Sequence, residues 1–137
     1  MALHSIKDWS IIFGSQEISG IAEEGISISF NGEGFTQTIG LKGEVAINQD
    51  SNESGAVTLN LLSTSESNKY LSGLYITAKE GGQVEYPLVI RDQNGATLYT
   101  STDAIIKRIP DTTKEKETST NSWEILCGTL IGYEGGN

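Results

Sequence analysis

One cysteine and one histidine in 137 residues leave little for covalent or acid–base chemistry to use. Cys127 has no second cysteine to pair with, which excludes an internal disulfide framework and fits a reducing compartment. It lies within the apolar pattern "WEILCGTLIG", whereas a reactive thiol needs exposure and nearby positive charge, so a buried structural role is expected. His4 stands so near the chain start that a Ser/His/Asp or Cys/His arrangement would rest on a loosely held base. No H-E-x-x-H, C-x-x-C or Walker motif is present. The G-x-G at Gly32–Gly34 has no G-x-x-x-x-G-K-[ST] beside it and no helix pattern after it, so it reads as loop rather than phosphate cradle. The pairs Glu23/Glu24 and Glu115/Glu117 have no apolar surroundings that would shift a carboxyl pKa. No catalytic residue, metal site or cofactor is therefore expected.

Basic residues are also scarce. Nine Lys and Arg against 18 Asp and Glu give a net charge of -9. Nucleic-acid binders neutralise phosphates with clustered Lys and Arg, and here the nine are scattered. An acidic surface keeps DNA at a distance over about 8–10 Å at cellular salt. No apolar run approaches the ~18 residues a membrane helix needs. The start "MALHSIKDWSIIFG" lacks a basic region followed by a long apolar one, so no signal peptide is expected and synthesis in the cytosol is.

What is present is a β-rich pattern, with 16 Gly, only 2 Pro and many Ser, Thr, Ile and Val. The length suits one domain, 1–137, with one core. "DWSIIFGSQEISG" reads as a hairpin turning at Gly14-Ser15, and "GISISFN" sets Ile26, Ile28 and Phe30 against Ser27 and Ser29. "GEVAINQ" and "GAVTLNLL" also alternate. Asn94-Gly95 suits a hairpin turn, and "DAIIKRI" and "WEILCGTLIG" read as strands. One helix is expected over about 65–80. Ser63 and Glu66 have capping-box spacing, Ser65 is a second cap, Tyr70, Leu71, Leu74, Tyr75 and Ala78 form the apolar stripe, and Gly81-Gly82 ends it.

"NQDSNESGAV", from Asn48 to Val57, opens like a calcium loop: Asp50, Asn52, Ser54 and Gly55 keep the D-x-N-x-S-G spacing. The twelfth position, where such a loop needs a bidentate carboxylate, is Leu61, and both flanks have the strand period rather than the helix period. The stretch reads instead as a turn pairing the strands "GEVAINQ" and "GAVTLNLL". Two segments, roughly 31–43 and 110–121, exceed minimal turns, and loops of about 12 residues in a compact domain tend to be functional. "KEKE" would, if extended, set Lys114 and Lys116 against Glu115 and Glu117 on opposite faces, a pattern suited to salt-bridging a neighbouring copy or to plain solvation.

The order of these features resembles the small tail-tube proteins of contractile-tailed bacteriophages. The matching pieces are "IKDWSIIFGSQEISGIAEEGISI" with its A-E-E-G-I turn, "GEVAINQDSNESGAVTLNLLSTSESN" with its D-x-S-G-type turn and S-x-x-N helix start, and "VIRDQNGATLYTSTDAIIKRIPDTTKEKETSTNSWEI" with its K-x-x-P-D turn. Together they cover about residues 6–132. The resemblance implies an antiparallel β-sandwich or partial barrel flanked by one helix, whose inner strands join a ring-wide barrel when six copies assemble. It implies rings stacked into a tube that conducts DNA without binding it specifically, inside a contractile sheath in the virion, assembled in the bacterial cytoplasm. Sheath, baseplate or tail-initiator and terminator proteins are the implied partners.

On that reading the strands 44–50, 55–62, 102–109 and 121–131 line the channel. Alternation sends Val45, Ile47, Val57, Leu59 and Leu61 to the subunit core and leaves Glu44, Asn48, Asp50, Thr58 and Asn60 to the lumen. Phe35, Lys42, Lys114, Glu115, Lys116 and Glu117 are the expected contacts between subunits and rings. Two related assemblies fit the same residues: a type VI secretion tube and a phage-tail-like bacteriocin. A monomeric β-sandwich binding module is the alternative from another class. It would want exposed aromatics for stacking, whereas Trp9 and Trp123 sit in strand patterns that bury or half-bury them.

Overall fold

A computed structural model describes residues 9–93, 95–111 and 119–135. Among them lie ten strands and one helix: β1 Trp9–Phe13, β2 Gln16–Glu17, β3 Ile21–Phe30, β4 Phe35–Ile39, β5 Val45–Gln49, β6 Gly55–Leu62, α1 Ser67–Lys79, β7 Tyr86–Asp92, β8 Leu98–Ile106, β9 Thr120–Cys127 and β10 Ile131–Tyr133. The protein is mainly β, antiparallel throughout, with a single flanking helix.

Eight strands form one sheet in the order β2-β1-β7-β8-β9-β6-β3, with β10 also paired to β8. The path is open, since β2 and β3 do not pair. Yet β2 ends at Glu17 and β3 begins at Ile21, so only residues 18–20 carry the chain from one edge to the other. That link is bonded at both ends: Ile18 N–H donates to Ile11 O at 2.7 Å and Leu62 N–H to Gly20 O at 2.8 Å. The sheet therefore curls until its edges nearly meet, a partial barrel within one chain.

Alternation along each strand decides which side faces the core. Ile11 and Phe13 of β1, Val57, Leu59 and Leu61 of β6, Leu88 and Ile90 of β7, and Trp123, Ile125 and Cys127 of β9 are all buried in one cluster. Each fully buried Leu, Ile or Val contributes about 1.5–3 kcal/mol relative to exposure. The helix closes this side with Leu71, the one fully buried member of its apolar stripe, while Tyr70 and Leu74 are half-buried against the cluster. The Tyr70 hydroxyl donates to Phe13 O at 2.8 Å, pinning the helix to the β1–β2 hairpin. Gly14 turns that hairpin at φ +68°, a region where a side chain is strained.

Three local expectations change. At the helix start Ser65 Oγ accepts from Ser67 N–H at 3.1 Å, while Glu66, in the N-cap position, makes no side-chain cap bond; Ser63 instead accepts from Ser119 N–H, so Ser63 and Glu66 form no capping box. The "AEEG" stretch is not a turn between strands but an irregularity inside β3, where the register to β6 shifts between Ile21 and Ile26. Gly25 takes φ +74° there, and its carbonyl, displaced from the ladder, accepts from Asn60 Nδ2 at 3.0 Å. β7 and β8 pair as a hairpin whose connection is longer than two residues, since β7 stops at Asp92 and β8 starts at Leu98; Asn94 of the expected turn lies outside the described residues.

The largest correction concerns β5. It pairs with β4, Val45 opposite Ile39 and Gln49 opposite Phe35, in a two-stranded sheet of its own. It does not pair with β6, which is flanked by β3 and β9. The glycine-rich segment 31–43 thus supplies the outgoing strand of a β-ribbon arm, and "NQDSNESG" is the arm's return to the main sheet. Val45 and Ile47 do not reach the core: they are 58% and 62% exposed.

Candidate functional site

Two surfaces remain after the core is accounted for. The first is the outer side of the main sheet. Cross-strand partners share a face, so Ser27, Thr58 and Glu124 form one row and Asn60 and Ser122 the next. Lys107 extends the first row. Its N–H donates to Glu124 O at 3.0 Å, and its ammonium lies 2.7 Å from the Glu124 carboxylate. Both side chains are about half exposed, so the pair is worth at most about 1 kcal/mol. Ser122 Oγ donates to Asn60 Oδ1 at 2.6 Å. These two rows are thus polar, hydrogen-bonded within themselves, and nearly neutral where Lys107 meets Glu124, while the next row of the same face, Ala56, Leu126 and Ile105, is apolar. Beyond Lys107, β8 and β9 diverge around an open cleft of about 350 Å³ that Arg108, Asp111 and Thr120 also line. Arg108 reaches the Asp111 carboxylate at 3.1 Å, and that ion pair holds its guanidinium charge more firmly than usual, through the hydrogen bond first and the charge second.

The second surface is the β4–β5 arm. Its pairing puts Phe35, Ile39, Val45 and Ile47 on one face with Gln37 and Gln49. Thr36, Thr38, Ala46 and Asn48 take the other, where Asn48 Nδ2 donates to Thr38 Oγ1 at 3.0 Å. Every residue of both strands is exposed, and so is Leu41 in the tip. The tip is closed by Lys42 N–H donating to Glu44 Oε2 at 3.0 Å. The arm is therefore amphipathic, and among the described residues nothing covers its apolar face.

The predicted residues fall in two places. Thr58 and Asn60 lie together on the sheet's outer face, whereas Glu44 and Asn48 lie on the arm with Phe35 and Lys42. Asp50 sits where the arm meets the body. Its oxygens are used locally, Oδ2 accepting from Glu33 N–H at 2.9 Å and Oδ1 from Asn52 N–H at 3.0 Å. These bonds, Glu33 first, hold its pKa below the ordinary 3.8. The calcium-loop spacing is thus an internal hydrogen-bonded turn, and among the described residues no three His, Cys, Asp or Glu gather to hold a metal. Lys114, Glu115, Lys116 and Glu117 lie outside the described residues. Ser122, Glu124 and Lys107 were not singled out from sequence, although the alternation of Ser122 and Glu124 against Trp123 and Ile125 carries the signal.

The fold is shared with proteins of contractile injection machines. The sheath/tube terminator of an extracellular contractile injection system (PVC, extended state) superposes with a TM-score of 0.61 at 12% identity, covering 98% of this chain and 99% of that one. The tube-terminating cap of the anti-feeding prophage gives 0.60 at 10% identity, covering 99% and 95%. A chain of the PVC sheath–tube complex gives 0.61 at 12% identity, covering 91% and 87%. At such identities the likeness concerns the fold. In sequence, residues 5–133 match the family described as Bacteriophage PhiTE tail tube protein, and the chain belongs to that family. It is 28% identical over 126 residues to "Structural protein ORF10" of Pseudomonas phage KPP10, covering 90% of this chain and 73% of that protein. It is a tail-tube-type structural protein of a phage virion.

Proposed function

We propose that this chain is the repeating subunit of the inner tail tube. Six copies close into a ring, rings stack into a tube within the sheath, and DNA passes along the lumen during ejection. One observation carries the reading: the arm's apolar face, with Phe35, Ile39, Val45 and Ile47 exposed, has no cover among the described residues. Clustered exposed apolar residues mark interaction surfaces, and a second copy is the partner a tube supplies. The same arm accounts for Lys42 and Phe35 as subunit contacts. In this reading the rows of the sheet's outer face that carry Thr58 and Asn60 line the lumen, together with Asn48 and Glu44 of the arm. Their hydroxyls and amides offer no cationic cluster to phosphates, and the net charge of -9 disfavours sticking.

Electron microscopy of the purified protein tests this. Rings or tubes from the wild-type chain, lost on Ile39→Ser with Ile47→Ser, support it; a folded wild-type protein that forms neither ring nor tube when seeded on tail-initiator complexes contradicts it. A second reading, that the chain caps a tube, is favoured by the two terminator-type proteins among its structural neighbours. A cap forms single rings that do not stack, and the same micrographs separate the two.

A further inference from the structure

The arm would be a poor docking element if it swung freely, because ordering it on contact would consume much of the binding free energy. The root of the arm is not free. The Asp50 carboxylate joins both strands where they leave the body, accepting from Glu33 N–H on the outgoing side and from Asn52 N–H on the return side. Asp50 N–H donates to Gly34 O at 2.7 Å, closing the same root from the backbone. Asn52 Oδ1 then accepts from both the N–H and the hydroxyl of Ser54, at 3.1 and 2.7 Å. Ser54 is held in turn by Asn31, whose N–H donates to Ser54 O at 3.0 Å and whose Nδ2 donates to Ser54 Oγ at 3.1 Å. Leu130 N–H donates to Glu53 O at 2.8 Å, tying the root to the turn between β9 and β10. Packing is as tight as bonding here: a Cβ at Gly32 would run into the Asn52 carbonyl.

We propose that Asp50 is a positioning residue that latches the β4–β5 arm at a fixed angle to the body in the free subunit, so that the apolar face is presented before a second copy arrives. This rests on the reading of the arm as an assembly contact, but the latch itself is a property of one copy. The sequence "DSNESG" is then a hinge lock, built from the acceptors that its calcium-like spacing happens to supply. The acidic residues beside it in sequence are Glu33 and Glu53; Glu33 bonds the Asp50 carboxylate through its backbone N–H, not its own carboxylate.

The test is an electron-spin distance measurement on the monomer. Spin labels go at Lys42→Cys on the arm tip and Glu80→Cys at the helix end, in a Cys127→Ser background. The wild-type root gives one narrow distance peak. Asp50→Ala removes both acceptors and loses that peak, while Asp50→Asn, which keeps one acceptor oxygen, falls between. Gly32→Ala, which opens the root by driving a Cβ into the Asn52 carbonyl while keeping both Asp50 acceptors, also displaces or broadens the peak. Circular dichroism shows that the β-sheet is retained in each. An unchanged narrow peak in Asp50→Ala overturns the latch, as does a wild-type peak that is already broad. If the latch holds yet no tube forms under any condition, it is the assembly reading that fails.

Discussion

Trp123 Nε1 donates to Asn68 Oδ1 at 2.8 Å, joining a core indole on β9 to the first turn of the helix. Asn68 does more than accept this bond. Its Oδ1 also takes Asn121 Nδ2 at 3.1 Å, and its own Nδ2 donates to Leu62 O at 2.8 Å and Ser65 O at 3.1 Å. One amide thus fastens the helix start to β6 and β9 and satisfies the polar atom of the largest fully buried side chain.

Asn68→Ala leaves the buried Trp123 N–H without its acceptor, which costs about 1–3 kcal/mol. Urea unfolding followed by tryptophan fluorescence measures it. Asn68→Asp keeps an acceptor for the indole but loses both donated bonds, and its cost falls below that of the alanine variant.

The S-x-x-N helix start, Ser65 to Asn68, was legible in sequence, as were the inward side chains Val57, Leu59 and Leu61 and the buried Trp123. In each case burial on one face imposes a period that the residues themselves display. What Val45 and Ile47 display is the same period, and it gives their shared face correctly. It does not say what covers that face, because an exposed ribbon alternates just as a core strand does. The pairing of β6 with β9 was illegible for a different reason: Leu59 opposite Trp123 is a contact between distant parts of the chain, and no local pattern encodes it.

Substitutions on the arm's apolar face separate folding from assembly. Val45→Ser with Ile47→Ser shifts unfolding stability by no more than about 0.5 kcal/mol, as expected for exposed positions. The same pair abolishes tube formation in sedimentation. A large loss of stability would mean that the face is covered within one chain.

Cys127 is 2% exposed. Burial pushes its thiol pKa up, with a hydrogen bond to Ser101 opposing and the nearby Asp103 charge adding to the rise. The folded protein therefore reacts with a thiol-specific disulfide reagent only at the rate of unfolding, even at pH 8, and one thiol per chain appears at once in denaturant.

Asp50 predicts the sign of an acid effect. Its folded pKa lies below the ordinary 3.8, so its bonds to Glu33 and Asn52 contribute fully above 3.8 and are lost as pH falls through the lower folded value. A carboxyl-carbon NMR titration shows the Asp50 midpoint below that of the unfolded chain, and Asp50→Asn removes this part of the acid sensitivity. A midpoint at or above 3.8 would mean that the carboxylate is not held by those amides.

We propose that a second copy covers the arm while the outer sheet face lines a channel. Cryo-electron microscopy of the assembled tube tests it directly. The expected map has Thr58, Asn60 and Ser122 on the lumen wall and Ile39, Val45 and Ile47 buried against a neighbouring copy. Val45 and Ile47 facing the channel, or an arm left bare in the assembled tube, would contradict it.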